Sequence, residues 1–187
     1  SLITSTKDAL SKASKAGLEI FFIHGNRDFL LDSSFAESTG ISLLPDPFFF
    51  DYFGKKIALS HGDMFCIDDT EYQTFKKQVR SPKWKTEFLN KSLVERKSIA
   101  SSMRDASKKN SSQKDLMIMD VNTNEVASFF DKHDIDLLIH GHTHKPNIHE
   151  LDGKNSKLKR VVLGDWDKTG WCFYLDSTSQ NLEEFKI

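Results

Sequence analysis

The chain has 187 residues, a hydrophobic share of 38%, a charged share of 28% and a formal net charge of −1. That is enough apolar material for one ordinary soluble domain with a core of its own, and it excludes intrinsic disorder. No apolar run approaches the roughly 18 residues of a membrane-spanning helix, so the chain reads as soluble or peripheral.

From the first residue, Ser, Lys and Ala alternate over 2–16 with Leu10 on one side, which predicts a weakly amphipathic helix stopped by Gly17. Residues 18–23 predict a buried strand, so the opening reads as half of a crossover unit. HGNRDF follows, then a short helix over 33–39 ended by Gly40, then a hairpin of 48–53 and 56–60 turning at Gly54 and running into His61, Gly62 and Asp63. Residues 70–109 are helical in period and rich in Lys and Arg, interleaved with Phe75, Val79, Trp84, Phe88, Leu93, Ile99 and Met103; Pro82 marks a helix start or break. A further helix is predicted over 113–132, then an apolar strand over 136–139 leading into HGHTHKP, and three short strands around Ile148, 161–163 and 171–175. Cys66 and Cys172 are too few for a disulfide framework and read as free thiols of a reducing compartment. Ser1 enters the first helix without an initiating Met, so nothing about targeting follows from this end.

The chemistry lies in a repeated pattern. Three predicted strands each end in a His-Gly step, at His24-Gly25-Asn26, His61-Gly62-Asp63 and His140-Gly141-His142. In α/β sheets ligands bind beyond the carboxyl ends of strands, so these tips are expected to converge. Imidazole nitrogens with an amide oxygen suit a borderline divalent ion such as Mn, Zn or Fe, and the scarcity of thiolates argues against a structural zinc cage. Asn26, His61, His142 and His144 are the expected ligands. His24 and His140 are expected to bond backbone or support the ligands. His133 and His149 read as isolated turn residues.

GNRD at 25–28, HGD at 61–63 and GHTH at 141–144 resemble the calcineurin-like metallophosphoesterases, whose motifs run D-x-H, GD-x-x-D, GN-H/R-D, H and GH-x-H. FIHGNRDFLL, HGD followed by CIDD, IMDVN, LIHGHTHKP and VLGDW extend the likeness, over nearly the whole chain, to the branch of that family that cleaves UDP-2,3-diacylglucosamine in lipid A synthesis. The resemblance implies an α/β sandwich of two sheets flanked by helices, one domain with a helical lid over about 70–112, and a Mn-dependent pyrophosphate hydrolase releasing UMP. It implies a dinuclear centre in the family. The D-x-H and GD-x-x-D motifs are not found here, so the chain is expected to be N-terminally incomplete and inactive as it stands. It would hold at most one ion weakly, on Asn26, His61 and His142, with His144 left from the second site.

The same resemblance implies that Asn26, Arg27, Asp69, Ser107, Ser111, Lys114 and His142 contact substrate, and that Asn26, Arg27 and His142 act in catalysis. For Ser111, the family's Asn matches this position only by ungapped spacing, with Asn110 one residue earlier. Arg27, permanently charged and forked, suits a phosphate leaving group where related phosphatases carry a His. Two readings stay open for Asp28, which either orients a ligand or caps a helix near Phe29, and two for Asp69, substrate contact or a helix cap. The basic segment reads as a solvated face, a nucleic-acid surface or a lid that seats a lipid and touches an anionic membrane. The resemblance favours the lid and a peripheral place on the cytoplasmic face of a Gram-negative inner membrane, with no nucleic acid. An exposed sheet edge leaves oligomerisation open. The rival functions are another calcineurin-like phosphatase and a metal-free scaffold of the same fold.

Overall fold

The structure, a computed structural model, describes residues 1–113, 120–153 and 157–187. The chain forms two compact units, one of residues 1–61 and 133–187, the other of residues 62–132 inserted within it. The class is mixed α/β, with six α-helices among the described residues.

The first unit opens with α1 (Leu2–Lys15), whose N-cap Ser1 accepts from the Thr4 N–H at 3.3 Å and which the chain leaves through Gly17. β1 (Ile20–Ile23) and β2 (Ile41–Leu44) pair in parallel, joined by α2 (Ser33–Thr39), as parallel neighbours require a crossover. α1 packs on α2 and β2. Here a sequence expectation fails: β1 is shorter than 18–23 and only partly covered, with Leu18 60% and Phe21 56% exposed. Apolar content suggested burial, but burial needs a layer on each face, and these two side chains have none among the described residues.

The main sheet has the order β3 (Phe48–Tyr52), β4 (Lys55–Ser60), β5 (Leu137–His140), β7 (Lys157–Val162) and β6 (Asn147–Asp152). β3 and β4 form the expected hairpin. Its two-residue loop, Phe53-Gly54, has positive φ at both positions (47° and 71°), the handedness that matches strand twist. β4, β5 and β7 run parallel, with Ser60 opposite His140 and His140 opposite Val162, so their carboxyl ends lie side by side. Ile57, Leu137 and Val161 form the centre of the core, and Phe173, Leu175 and Leu182 of the antiparallel pair β8 (Thr169–Leu175) and β9 (Gln180–Lys186) pack against it. His133 and His149 are not isolated turn residues: His133 ends a helix and stacks on Phe49 at 4.8 Å, and His149 sits in β6 opposite Arg160.

The inserted unit is helical. After a single 3-10 turn (Asp63–Phe65) come α3 (Thr70–Val79), α4 (Pro82–Leu89), α5 (Leu93–Gln113) and α6 (Thr123–His133). Ser81 caps α4 with Pro82 in its first turn, so the proline is a start rather than a kink. Of the helix expected over 113–132, residues 114–119 lie outside the described residues and the part described as α6 starts at Thr123, where Asn122 Oδ1 accepts from the Asn124 and Glu125 N–H groups at 3.0 and 3.1 Å and caps it. Phe65, Val79, Phe88, Val126, Phe129 and Phe130 are buried, with Phe65 and Phe129 edge to face at 5.1 Å. Burial pushes the Cys66 thiol up to about 12, and the carboxylates of Asp120, Asp63 and Asp69 push it the same way. Because the thiolate is the nucleophile, a maleimide at about pH 8 is expected to label Cys172 and spare Cys66 in the native protein. Equal labelling rates by mass spectrometry would contradict this. No helix among the described residues is long and apolar enough to cross a membrane.

Candidate metal centre

The convergence expected at the strand tips is present within the first unit. The loop after β1 brings Asn26, the end of β4 brings His61, and the loop after β5 brings His142. Asn26 Oδ1 lies 3.0 Å from His61 Nε2, Asn26 Nδ2 lies 3.1 Å from His142 Nδ1, and the two imidazole nitrogens are 3.2 Å apart. Gly25 makes the approach possible, since a Cβ there would stand 3.2 Å from His61 Cε1. The Gly25 N–H donates to Asp28 Oδ1 at 2.5 Å, so Asp28 braces the loop carrying Asn26. The capping alternative for Asp28 falls, because no helix starts at Phe29: α2 is capped by Asp32, which accepts from the Phe35 N–H at 3.1 Å.

Each of the two histidines lacking a site role has its own partners. His24 Nε2 donates to the Leu31 carbonyl at 2.8 Å. His140, 1% exposed, bonds the Gly141 carbonyl through Nδ1 at 3.0 Å and faces Arg160 Nη1 through Nε2 at 3.2 Å. An arginine has no acceptor, so His140 must accept at Nε2 and donate at Nδ1, which fixes a neutral ring of one tautomer. His142 and His144 both have left-handed backbones, φ 67° and 54°. Such conformations in non-glycine residues cost free energy and collect at functional loops. His144 faces Asp165, Nδ1 to Oδ2 at 3.8 Å, with both side chains more than half exposed.

The spacing and chemistry of these atoms test whether they suit a divalent ion. Nitrogen and oxygen ligands at 2.0–2.2 Å from one ion stand about 3 Å apart at neighbouring vertices. The 3.0 and 3.2 Å separations around His61 Nε2 match that spacing. The set is neutral, two imidazoles and an amide; among the described residues no three His, Cys, Asp or Glu side chains cluster as a metal site. Thr143 Oγ1, buried between the two left-handed histidines, has no hydrogen-bond partner among the described residues. The residues fit one borderline ion, held without carboxylate help.

Residues 4–146 match the family model described as calcineurin-like phosphoesterase. The chain belongs to that family. A calcineurin-like phosphoesterase similar to it is the UDP-2,3-diacylglucosamine hydrolase of Cellvibrio japonicus (strain Ueda107), 39% identical over 186 residues, covering 100% of this chain and 78% of that protein. The protein of the same name from Escherichia coli (strain K12 / DH10B) is 46% identical over 162 residues, covering 87% of this chain and 68% of its own length. Among solved structures, Vacuolar Protein Sorting 29 from Cryptosporidium parvum aligns over 97% of this chain and 77% of its own, at 13% identity and a TM-score of 0.44, too weak a likeness to argue from. The family and the hydrolase relatives make this chain a metal-dependent hydrolase by descent.

Of the remaining expected residues, Arg27 is exposed beside Asn26, and Asp69 is the N-cap of α3, accepting from the Tyr72 N–H at 3.0 Å. Ser107 is exposed on α5; the side chain of Ser111, and Lys114 altogether, lie outside the described residues. Two carboxylates have roles that sequence reasoning missed: Asp63, expected at the converging strand tip with His61, is instead a buried ionic centre, and Asp46 was not singled out. Asp63, 0% exposed, is bound by Lys76 Nζ at 2.8 Å, Arg80 Nη2 at 3.3 Å and Tyr72 Oη at 2.7 Å. Asp46 reaches the end of β4. The basic character of 76–80 hinted at a buried acid for the first; nothing in the Pro-Asp-Pro step pointed to the second.

Proposed function

We propose that this chain hydrolyses, as part of its enzyme, the pyrophosphate of UDP-2,3-diacylglucosamine to UMP and 2,3-diacylglucosamine 1-phosphate in lipid A biosynthesis. The reading rests on 39% identity along the whole chain to a hydrolase of that name. The grouping of Asn26, His61 and His142 supports it. The ion is Mn, held by those three residues, with His144 belonging to a second site. When bound, a divalent ion supplies positive charge at the scissile phosphate and a nucleophile at neutral pH.

The protein's own groups orient and discriminate. Asn26 and His142 sit where the phosphates lie, and Arg27, exposed next to Asn26, takes the departing phosphate in its fork. Water adds to the uridylyl phosphorus, and the bridging oxygen leaves with the sugar phosphate. Charge stabilisation rather than proton donation is what that leaving group needs. Arg27→His in the full-length protein is therefore expected to lower kcat/KM on the lipid nucleotide by at least about tenfold, the scale of a lost charged hydrogen bond, and to raise activity on a phosphate monoester. An unchanged preference between the two substrates would sink the role.

The family resemblance adds Asp69, Ser107, Ser111 and Lys114 as substrate contacts, Asp69 alongside its capping bond. Acyl chains are received by the apolar side chains that this unit leaves in solvent, Phe75 at 41%, Leu89 at 49%, Leu93 at 59% and Val94 at 78% exposure. Phe88 is buried and stacks on Trp84 at 4.7 Å, so those two serve helix packing rather than lipid. These exposed apolar side chains and the lysines of the same unit support a peripheral position on the cytoplasmic face of the inner membrane. The exposed β1 edge offers a route to oligomers.

The test is UMP release from UDP-2,3-diacylglucosamine by the full-length protein with Mn²⁺. Release that is abolished by chelation and restored by Mn²⁺ supports the reading. Hydrolysis of simple monoesters but not of the lipid nucleotide would favour a general phosphatase, and no metal binding at all would favour a scaffold.

A further inference from the structure

Asp46 lies in the connection, residues 45–47, that joins the β1–β2 sheet to the five-stranded sheet. Its Oδ1 accepts from Ser60 Oγ at 2.7 Å and from the His61 backbone N–H at 3.3 Å. Ser60 is 7% exposed and is the last residue of β4, immediately before His61. On the other side, the His61 carbonyl accepts from the Gly141 N–H at 3.1 Å, the residue just before His142. The peptide groups on both sides of the His61 Cα are thus tied down, one by a carboxylate and one by the loop bearing His142. What is left to the ring is to face Asn26 and His142.

Neither bond of Asp46 belongs to the strand ladder, since β4 is already paired to β3 on one side and β5 on the other. Pro45 and Pro47 flank Asp46 and narrow the backbone choices of the segment, so the carboxylate is presented at little further entropic cost. A side chain in its place that could not accept would remove this bond from the Ser60 hydroxyl and loosen the strand end.

We propose that Asp46 is a positioning residue: through Ser60 and the His61 N–H it holds the His61 imidazole at the spacing a divalent cation requires. This rests on the reading of His61 as a metal ligand.

The experiment uses the full-length protein labelled with ¹⁵N-histidine, with two readouts. One is the NOE between the His61 and His142 rings in metal-free protein; the other is Co²⁺ affinity from its visible absorption. Asp46→Ala is expected to lose the NOE and to weaken Co²⁺ binding about tenfold or more, the range seen when a ligand's supporting bond is removed. Asp46→Asn, whose amide oxygen still accepts, is expected to restore both. Ser60→Ala, which removes only the hydroxyl, should move both readouts the same way by less, and it decides the matter if Asp46→Ala fails to fold. An intact NOE and Co²⁺ affinity within twofold of wild type in Asp46→Ala or Ser60→Ala would overturn the role of Asp46. If wild-type protein binds no Co²⁺, the metal reading fails, and the NOE alone still decides whether Asp46 positions His61.

Discussion

Replacing Asp63 with alanine is expected to destabilise the inserted unit by about 3–5 kcal/mol, the cost of removing one member of a buried ionic group. The carboxylate is fully buried, 0% exposed, while Lys76 and Arg80 are only 20% and 23% exposed and would each lose their ion pair with it. Tyr72 adds a short bond, 2.7 Å, to the same carboxylate, and burial together with Asp63 raises its phenol well above the usual range. The loss concerns the charge more than any one bond: Tyr72→Phe should cost only about 0.5–1.5 kcal/mol. Asp63→Asn, which keeps the shape and loses the charge, should fall near the alanine variant. Hydrogen exchange of α3 amides in the whole protein would measure it, with the β5 amides as an internal reference. A loss under about 1 kcal/mol would mean that solvent reaches the group and screens it.

The second large effect is expected at His142. His142→Ala should reduce affinity for Mn²⁺ or Co²⁺ by at least about 100-fold, since loss of a ligand exceeds the 10–100-fold cost of losing a ligand's support. His142 Nδ1 is the atom that both Asn26 and His61 approach, at 3.1 and 3.2 Å, so its removal leaves two donors of a three-donor set. His149→Ala is the control. It lies in β6, which among the described residues is the edge strand beyond β7, and should leave affinity unchanged. Calorimetric titration of the two variants in parallel distinguishes the readings: equal retention of binding would place the ion elsewhere.

The site was legible because its signal repeats. One His-Gly step says little, but three at strand ends, each with polar residues behind, point to a single crevice, and Asn26, His61 and His142 do meet there. The hairpin was legible from Phe53-Gly54, and α1 and α2 from the glycines that end them. Other elements were hidden for physical reasons. β2 is four residues between Gly40 and Pro45, too short for a period to show, and it exists because β1 lies beside it. β9 carries Glu183, Glu184 and Lys186, since one of its faces meets water, so its apolar content is low. The start of α6 was readable in principle from Asn122 followed three residues later by Glu125, but helical periodicity upstream obscured it. Asp46 and Asp63 act through partners 14 and 17 residues away, and such pairings are set by tertiary structure alone.

The left-handed backbones of His142 and His144 carry a further consequence. Each such residue stores of order 1–3 kcal/mol of conformational strain, at positions where glycine would store none. A lineage selected only for heat resistance would therefore drift toward glycine at 142 and 144, gaining melting temperature while shedding imidazoles. With histidine at both positions, the loop carries imidazoles where glycine would be the less strained choice.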